Sequence, residues 1–188
     1  NTTKRTTTYG EGVGFIDENS SHTWMGIPYA QAPVGELRWR APLKPQPWDD
    51  IYEALQAGDF CKQFGSQMES RPPSEWGTPI GSEDCLKLNI FAPAFATGAV
   101  PKGDSRLPVM VYVHGGGNMV GYANQFKYSG TQLAHTHNVI VVTFNYRLGP
   151  FGWFSHPALN NGGSAEDQSG NYGNLDSIRA LAWVQNNI

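Results

Sequence analysis

Two apolar runs constrain this chain more than anything else in it: Val-Met-Val-Tyr-Val at 109–113 and Val-Ile-Val-Val-Thr-Phe at 139–144. Each is short and almost free of polar residues, which is the pattern of a strand buried on both faces of a parallel sheet. The residues between them suffice for a crossover, and a short helix over about 130–137 is expected there, giving a βαβ unit. The first run leads through His114 into Gly115, Gly116 and Gly117. Ligands of open α/β sheets bind at that end of the strands. Consecutive glycines let backbone N–H groups converge on one oxygen, as stabilising a tetrahedral oxyanion requires.

Two other glycine chemistries fail on the residues themselves. A dinucleotide fingerprint begun at Gly115 needs glycine where Val120 stands, and a phosphate loop counted from Gly116 reaches Gly121 but then meets Tyr122 in place of the lysine. A purely structural turn and an oxyanion-binding turn both remain open on this pattern.

Elsewhere the chain alternates short elements with long irregular connections. Residues 1–9 read as a polar, threonine-rich arm, and the runs at 12–16 and 24–27 as a small hairpin. Residues 29–48 hold Pro33, Pro42, Pro45 and Pro47, too many for a regular element, so an extended loop packed by Trp39 and Trp48 is expected. Residues 86–91 alternate apolar and polar as a half-buried strand, and 94–106 read as a flexible connection. A loop over 148–173 leads to a helix over 175–188 with Leu175, Ile178, Leu181, Ala182, Val184 and Ile188 on its apolar half.

The 188 residues are 39% hydrophobic, enough for one core, while 22 glycines and 13 prolines make loop-built sites plausible. A net charge of −3 without a basic cluster speaks against nucleic acid and anionic membrane surfaces. No apolar run reaches the ~20 residues of a membrane span, and no signal peptide opens the sequence. Cys61 and Cys85, read alone, are buried thiols or a pair; sequons at Asn1 and Asn19 lean the reading towards a secreted or periplasmic protein. No metal site is expected, since His135 and His137 alone approach ligand spacing.

A nucleophile is missing. No G-x-S-x-G elbow occurs; the nearest approach, 162–166, ends in Glu166 and lies among polar residues, so Ser164 reads as a loop residue. His22, His114, His135, His137 and His156 have no identifiable triad partner and read as structural or solvated.

The motifs Gly26-Ile-Pro-Tyr-Ala30, Pro33-Val-Gly-Glu-Leu-Arg-Trp-Arg40, Ser82-Glu-Asp-Cys-Leu-Lys-Leu-Asn89, Val113-His-Gly-Gly-Gly117, Asn145-Tyr-Arg-Leu-Gly149 and Gly170-Asn-Tyr-Gly-Asn-Leu-Asp176 resemble, in order, those of the type B carboxylesterases and cholinesterases. The resemblance implies the N-terminal part of an α/β-hydrolase domain, a small hairpin followed by a mostly parallel sheet with crossover helices. It implies hydrolysis of a small-molecule carboxylic ester by a serine nucleophile, without a cofactor. Gly116 and Gly117 would supply the oxyanion hole, and Cys61 and Cys85 a disulfide closing a loop beside the active-site gorge. Trp76, Asn118 and Met119 would contact substrate; Trp76 stands roughly where cholinesterases carry a choline-binding tryptophan, and Asn118 replaces the usual aromatic residue. The serine, acid and histidine would come from a second polypeptide or from sequence outside these residues, so the segment is not expected to fold independently. The competing reading is a non-catalytic cholinesterase-like adhesion module. Two internal ion pairs are further expected, Arg38 with Glu83 and Arg147 with Asp176, because an unpaired buried charge is costly.

Overall fold

The threonines of the N-terminal arm are β-branched, a composition that suits a strand better than a loose tail. In the computed structural model, which describes residues 2–67, 71–96, 98–159 and 163–188, Lys4–Thr7 (β1) pairs antiparallel with Gly10–Val13 (β2). The expected arm is therefore a strand, and Gly12 and Val13 belong to its partner β2. The expected hairpin survives in displaced form, with Phe15–Ile16 (β3) antiparallel to Ser21–Pro28 (β4). Tyr52–Glu53 (β5) adds parallel to β2. Gln63–Phe64 (β6) and Pro79–Ile80 (β7) pair with each other between the two cysteines. The sequon at Asn1 lies outside the described residues.

Lys87–Pro93 (β8), Val109–Val113 (β9) and Ile140–Phe144 (β10) complete a five-stranded sheet ordered β3-β4-β8-β10-β9. β9 and β10 run parallel, with Val109 opposite Ile140, and the crossover carries the expected helix, Thr131–His137 (α1). Asn138 ends α1 in the left-handed region at φ 55°, its N–H donating to Ala134 O at 3.1 Å, a conformation asparagine tolerates better than most residues. The loop expected over 148–173 contains a one-turn helix, Gly149–Gly152 (α2), started by Pro150. The last helix, Tyr172–Asn187 (α3), begins earlier than expected. The long proline-rich loop is packed as expected: Trp39 lies on Phe154 at 5.1 Å, and Trp48 on Tyr52 at 5.3 Å.

Alternation along the strands sends side chains to opposite faces. Val142, Phe144, Leu88 and Ile90 meet Ala180, Trp183 and Val184 of α3 on one face, while Val141 and Phe91 meet Ala134 of α1 on the other. The sheet is thus sandwiched between helices.

Three expectations about burial fail. β8 is buried on both faces: Asn89, placed by alternation towards solvent, is 4% exposed. It lies there because β4 bulges between Trp24 and Ile27, and the Asn89 carboxamide accepts the freed Gly26 N–H at 3.0 Å while donating to Thr143 Oγ1 at 3.2 Å. β9 is not buried on both faces; it is the edge strand, with Met110 and Val113 each 50% exposed. On α3 the buried side runs through Tyr172, Asp176, Ala180 and Trp183, leaving Ile178 61% and Leu181 49% exposed. Of the expected apolar half, Val184 is buried and Ile188 packs against the core, so apolar periodicity misplaced Ile178 and Leu181.

Both expected ion pairs form, in different settings. Arg147 and Asp176 are buried, at 2.7 Å. Arg38 grips Glu83 through Nε and Nη2, each at 2.6 Å, but its side chain is 40% exposed, so this pair is not internal as expected. Screening by solvent makes such a pair weak.

Candidate active site

β9 delivers the chain to the glycine turn, and the residues after it are held by contacts from every neighbouring element. The His114 carbonyl accepts the Tyr146 hydroxyl at 2.9 Å, and its buried imidazole stacks on the Tyr146 ring at 4.5 Å. Gly116 has φ 126°, and a Cβ there would lie 1.8 Å from the Val120 carbonyl oxygen, so no other residue fits this backbone. The Gly116 carbonyl accepts the N–H groups of Met119 and Val120 at 3.1 and 3.2 Å, closing the turn.

Gly117 also has a positive φ, 61°, yet a Cβ there would meet nothing within 4 Å. Its glycine is required by conformation and not by crowding. Asn118 follows at φ 62°, its carbonyl accepting the Gly149 N–H at 2.7 Å. Among the described residues, neither the Gly116 nor the Gly117 N–H has a hydrogen-bond partner. Two amide donors thus stand open, side by side, at the C-terminal end of the β9–β10 pair.

The structure brings together some of the residues expected at the site. Asn118 and Met119 belong to the turn; Met119 is exposed and lies over Gly149, where a Cβ would touch its Cε at 3.5 Å. Trp76 is exposed, and its indole N–H donates to Arg71 O at 3.0 Å. Among the described residues, no hydrogen bond or ring contact joins Trp76 to the turn. Ser164 is the loop residue expected: its hydroxyl donates to Asp167 Oδ2 at 3.0 Å and accepts the Asp167 N–H at 3.1 Å. Gly162, at the head of the elbow-like stretch, lies outside the described residues.

Cys61 and Cys85 are joined as expected, with Cα atoms 5.0 Å apart. Removing the bridge through Cys61→Ser and Cys85→Ser is expected to lower stability by about 3 kcal/mol on loop-entropy grounds, measured by denaturant unfolding. An unchanged unfolding midpoint would show that the open loop is already restrained by its other contacts.

Sequence reasoning missed the residues that hold the turn. Asn145 accepts the Ala123 N–H at 2.7 Å and donates to Asp59 O at 2.9 Å, and Gln63 grips Gly121. Asn145 and Tyr146 directly follow β10, at the same end of the sheet as the glycines, and that placement was the signal available.

A model of the carboxylesterase family matches residues 1–188. The chain is 43% identical over 183 residues to the para-nitrobenzyl esterase of Bacillus subtilis (strain 168), covering 97% of this chain and 34% of that protein. It is 43% identical over 178 residues to the fumonisin B1 esterase of Sphingopyxis macrogoltabida, covering 95% of this chain and 30% of that protein. A solved structure described as PNB esterase superposes with a TM-score of 0.80 at 40% identity, over 100% of this chain and 35% of that one. The chain spans about a third of the length of these relatives. Its architecture is that of the α/β hydrolases, and the chain belongs to the carboxylesterase family.

Proposed function

We propose that this chain supplies the oxyanion hole and part of the active-site gorge of a serine carboxylesterase. The observation that carries the reading is the pair of adjacent N–H groups of Gly116 and Gly117, without a hydrogen-bond partner among the described residues, at the ligand end of the sheet. Substrate carbonyl oxygen would gain negative charge as a serine attacks the carbonyl carbon, and two backbone donors about 3 Å away would stabilise that charge more than the neutral ester. Asn118 and Met119 would border the acyl or alcohol group. Trp76 would contribute from the disulfide loop, its indole held by Arg71 O.

Serine, acid and histidine are supplied in this reading by residues outside these 188, completing the same domain. The bare edge of β9 and the outward apolar side of α3 favour it, since a parallel strand and a covering layer placed there would bury Met110, Val113, Ile178 and Leu181. The Cys61–Cys85 bridge supports an oxidising compartment, secreted or periplasmic. A non-catalytic adhesion module gains no specific support, whereas the relatives named above are esterases by description.

The complete enzyme is expected to hydrolyse a simple activated aryl ester and to be labelled once per chain by a fluorophosphonate. A complete, folded protein that does neither would overturn the enzymatic reading.

A further inference from the structure

One side chain joins the disulfide loop to the glycine turn. Gln63, two positions after Cys61 and buried, holds the N–H and the C=O of Gly121 as a neighbouring strand would. Its Oε1 accepts the Gly121 N–H at 2.7 Å, and its Nε2 donates to Gly121 O at 2.9 Å and to Cys61 O at 3.0 Å. Gly121 is itself tightly placed. Its φ is 111°, and a Cβ there would lie 2.5 Å from the Gly115 carbonyl oxygen and 2.7 Å from His114 Nδ1. The Gly121 backbone is thus packed against the peptide that carries the Gly116 N–H, so a rotation at Gly121 displaces that donor. Other ties hold the far side of the turn, Tyr146 on His114 O and Gly149 on Asn118 O.

We propose that Gln63 is a positioning residue for ester hydrolysis: it transmits the fixed place of the Cys61–Cys85 loop to the Gly116 and Gly117 N–H groups and so sets kcat. The inference rests on the oxyanion role proposed for those glycines. Gln63 does not touch the reacting atoms; both ends of its carboxamide are spent on backbone. Oxyanion donors act over a narrow range of distance, and a displacement of about 1 Å costs on the order of 10²-fold in rate. A carboxamide bonded at both ends fixes the two peptide planes that flank the Gly121 Cα, which a single hydrogen bond does not.

The test uses Gln63→Leu and Gln63→Glu in the complete enzyme. Leucine removes both bonds, whereas glutamate keeps the acceptor for the Gly121 N–H and loses the donor. Amide hydrogen exchange of residues 114–122 is expected to accelerate by about tenfold or more in Gln63→Leu, a readout independent of activity. On an activated ester, kcat per fluorophosphonate-titrated site is expected to fall about tenfold or more with KM changed by less than about threefold, and Gln63→Glu to fall between. Reduction of the bridge should lower wild-type kcat in the same manner and add little in Gln63→Leu, because the two changes act in series.

Unchanged exchange, or wild-type kcat per titrated site in a merely less stable variant, overturns the proposal and leaves Gln63 as a structural partner of buried backbone. Should Gln63→Leu fail to fold, Gln63→Glu is read by the same two criteria. A complete wild-type protein without esterase activity would instead sink the proposed function, while the exchange measurement would still decide whether Gln63 holds the turn.

Discussion

Replacing Gly117 by Val in the complete enzyme is expected to lower kcat by about 10²-fold or more, as loss of one oxyanion donor does. The position separates chemistry from packing. A Cβ at Gly117 enters open space, so no neighbour is crushed, but the backbone sits at φ 61°, where a β-branched residue is strongly disfavoured. Relief comes from rotating the peptide, and the N–H turns with it. Stability should fall by no more than the cost of one residue in that conformation, about 1–2 kcal/mol. Gly116→Ala provides the contrast, since its Cβ would collide with the Val120 carbonyl oxygen and the turn itself must open. That variant should lose stability as well as activity. Steady-state kinetics normalised to titrated active sites, beside denaturant unfolding, distinguish the two. An undiminished kcat in folded Gly117→Val would return the glycine trio to a structural role.

The second large effect concerns stability. Arg147 and Asp176 make a bidentate pair, Nε to Oδ2 at 2.8 Å and Nη2 to Oδ1 at 2.7 Å, and the Arg147 backbone N–H adds a third bond to Oδ2 at 3.0 Å. Nη1 donates to Arg40 O at 2.9 Å, and the group lies over the Tyr172 ring. Burial pushes the Asp176 carboxyl upward, and the hydrogen bonds and charge of Arg147 oppose that push. Asp176→Asn keeps the shape but leaves a buried guanidinium without its counter-charge. The expected loss is about 3–5 kcal/mol, read from denaturant unfolding of the complete protein. Arg147→Met combined with Asp176→Leu should recover much of it, since the pair's net contribution against an apolar replacement is small. A loss under about 1 kcal/mol for Asp176→Asn would mean that the site relaxes or admits water.

Local pattern carried the strands at 109 and 140, the helix between them and their parallel pairing, because a continuous apolar run and a crossover length are properties of short segments. It also located Gly116 and Gly117, whose backbone geometry admits no side chain at one position and disfavours it at the other. Pattern failed where burial depends on distant residues. Asn89 is buried because a bulge in β4 needs its carboxamide, a cause that is not local to the sequence around it; the buried Arg147–Asp176 pair, by contrast, was expected from the cost of an unpaired charge. Met110 and Val113 of β9 and Ile178 and Leu181 of α3 are apolar but exposed, so at these positions apolarity was read correctly and burial was not. Gln63 and Asn145 hold the site through single carboxamides, which leave no periodic trace in a sequence.

The position of the disulfide has a consequence for the order of folding events. β4 ends at Pro28 and β8 begins at Lys87, and pairing them closes a long loop within which Cys61 and Cys85 both lie, 24 positions apart. Oxidation before pairing would shorten that loop by less than half. Closure entropy varies only logarithmically with length, so the gain is under about 0.6 kcal/mol, less than about threefold in the rate of bringing the strands together. Sheet assembly is therefore nearly indifferent to the state of the thiols. Collapse takes about 100 μs or less, while thiol oxidation takes seconds to hours, so the strands are expected to meet before the covalent bond forms. A chain synthesised under reducing conditions would reach the same strand order, with the loop unlatched and without the stability that the bridge contributes.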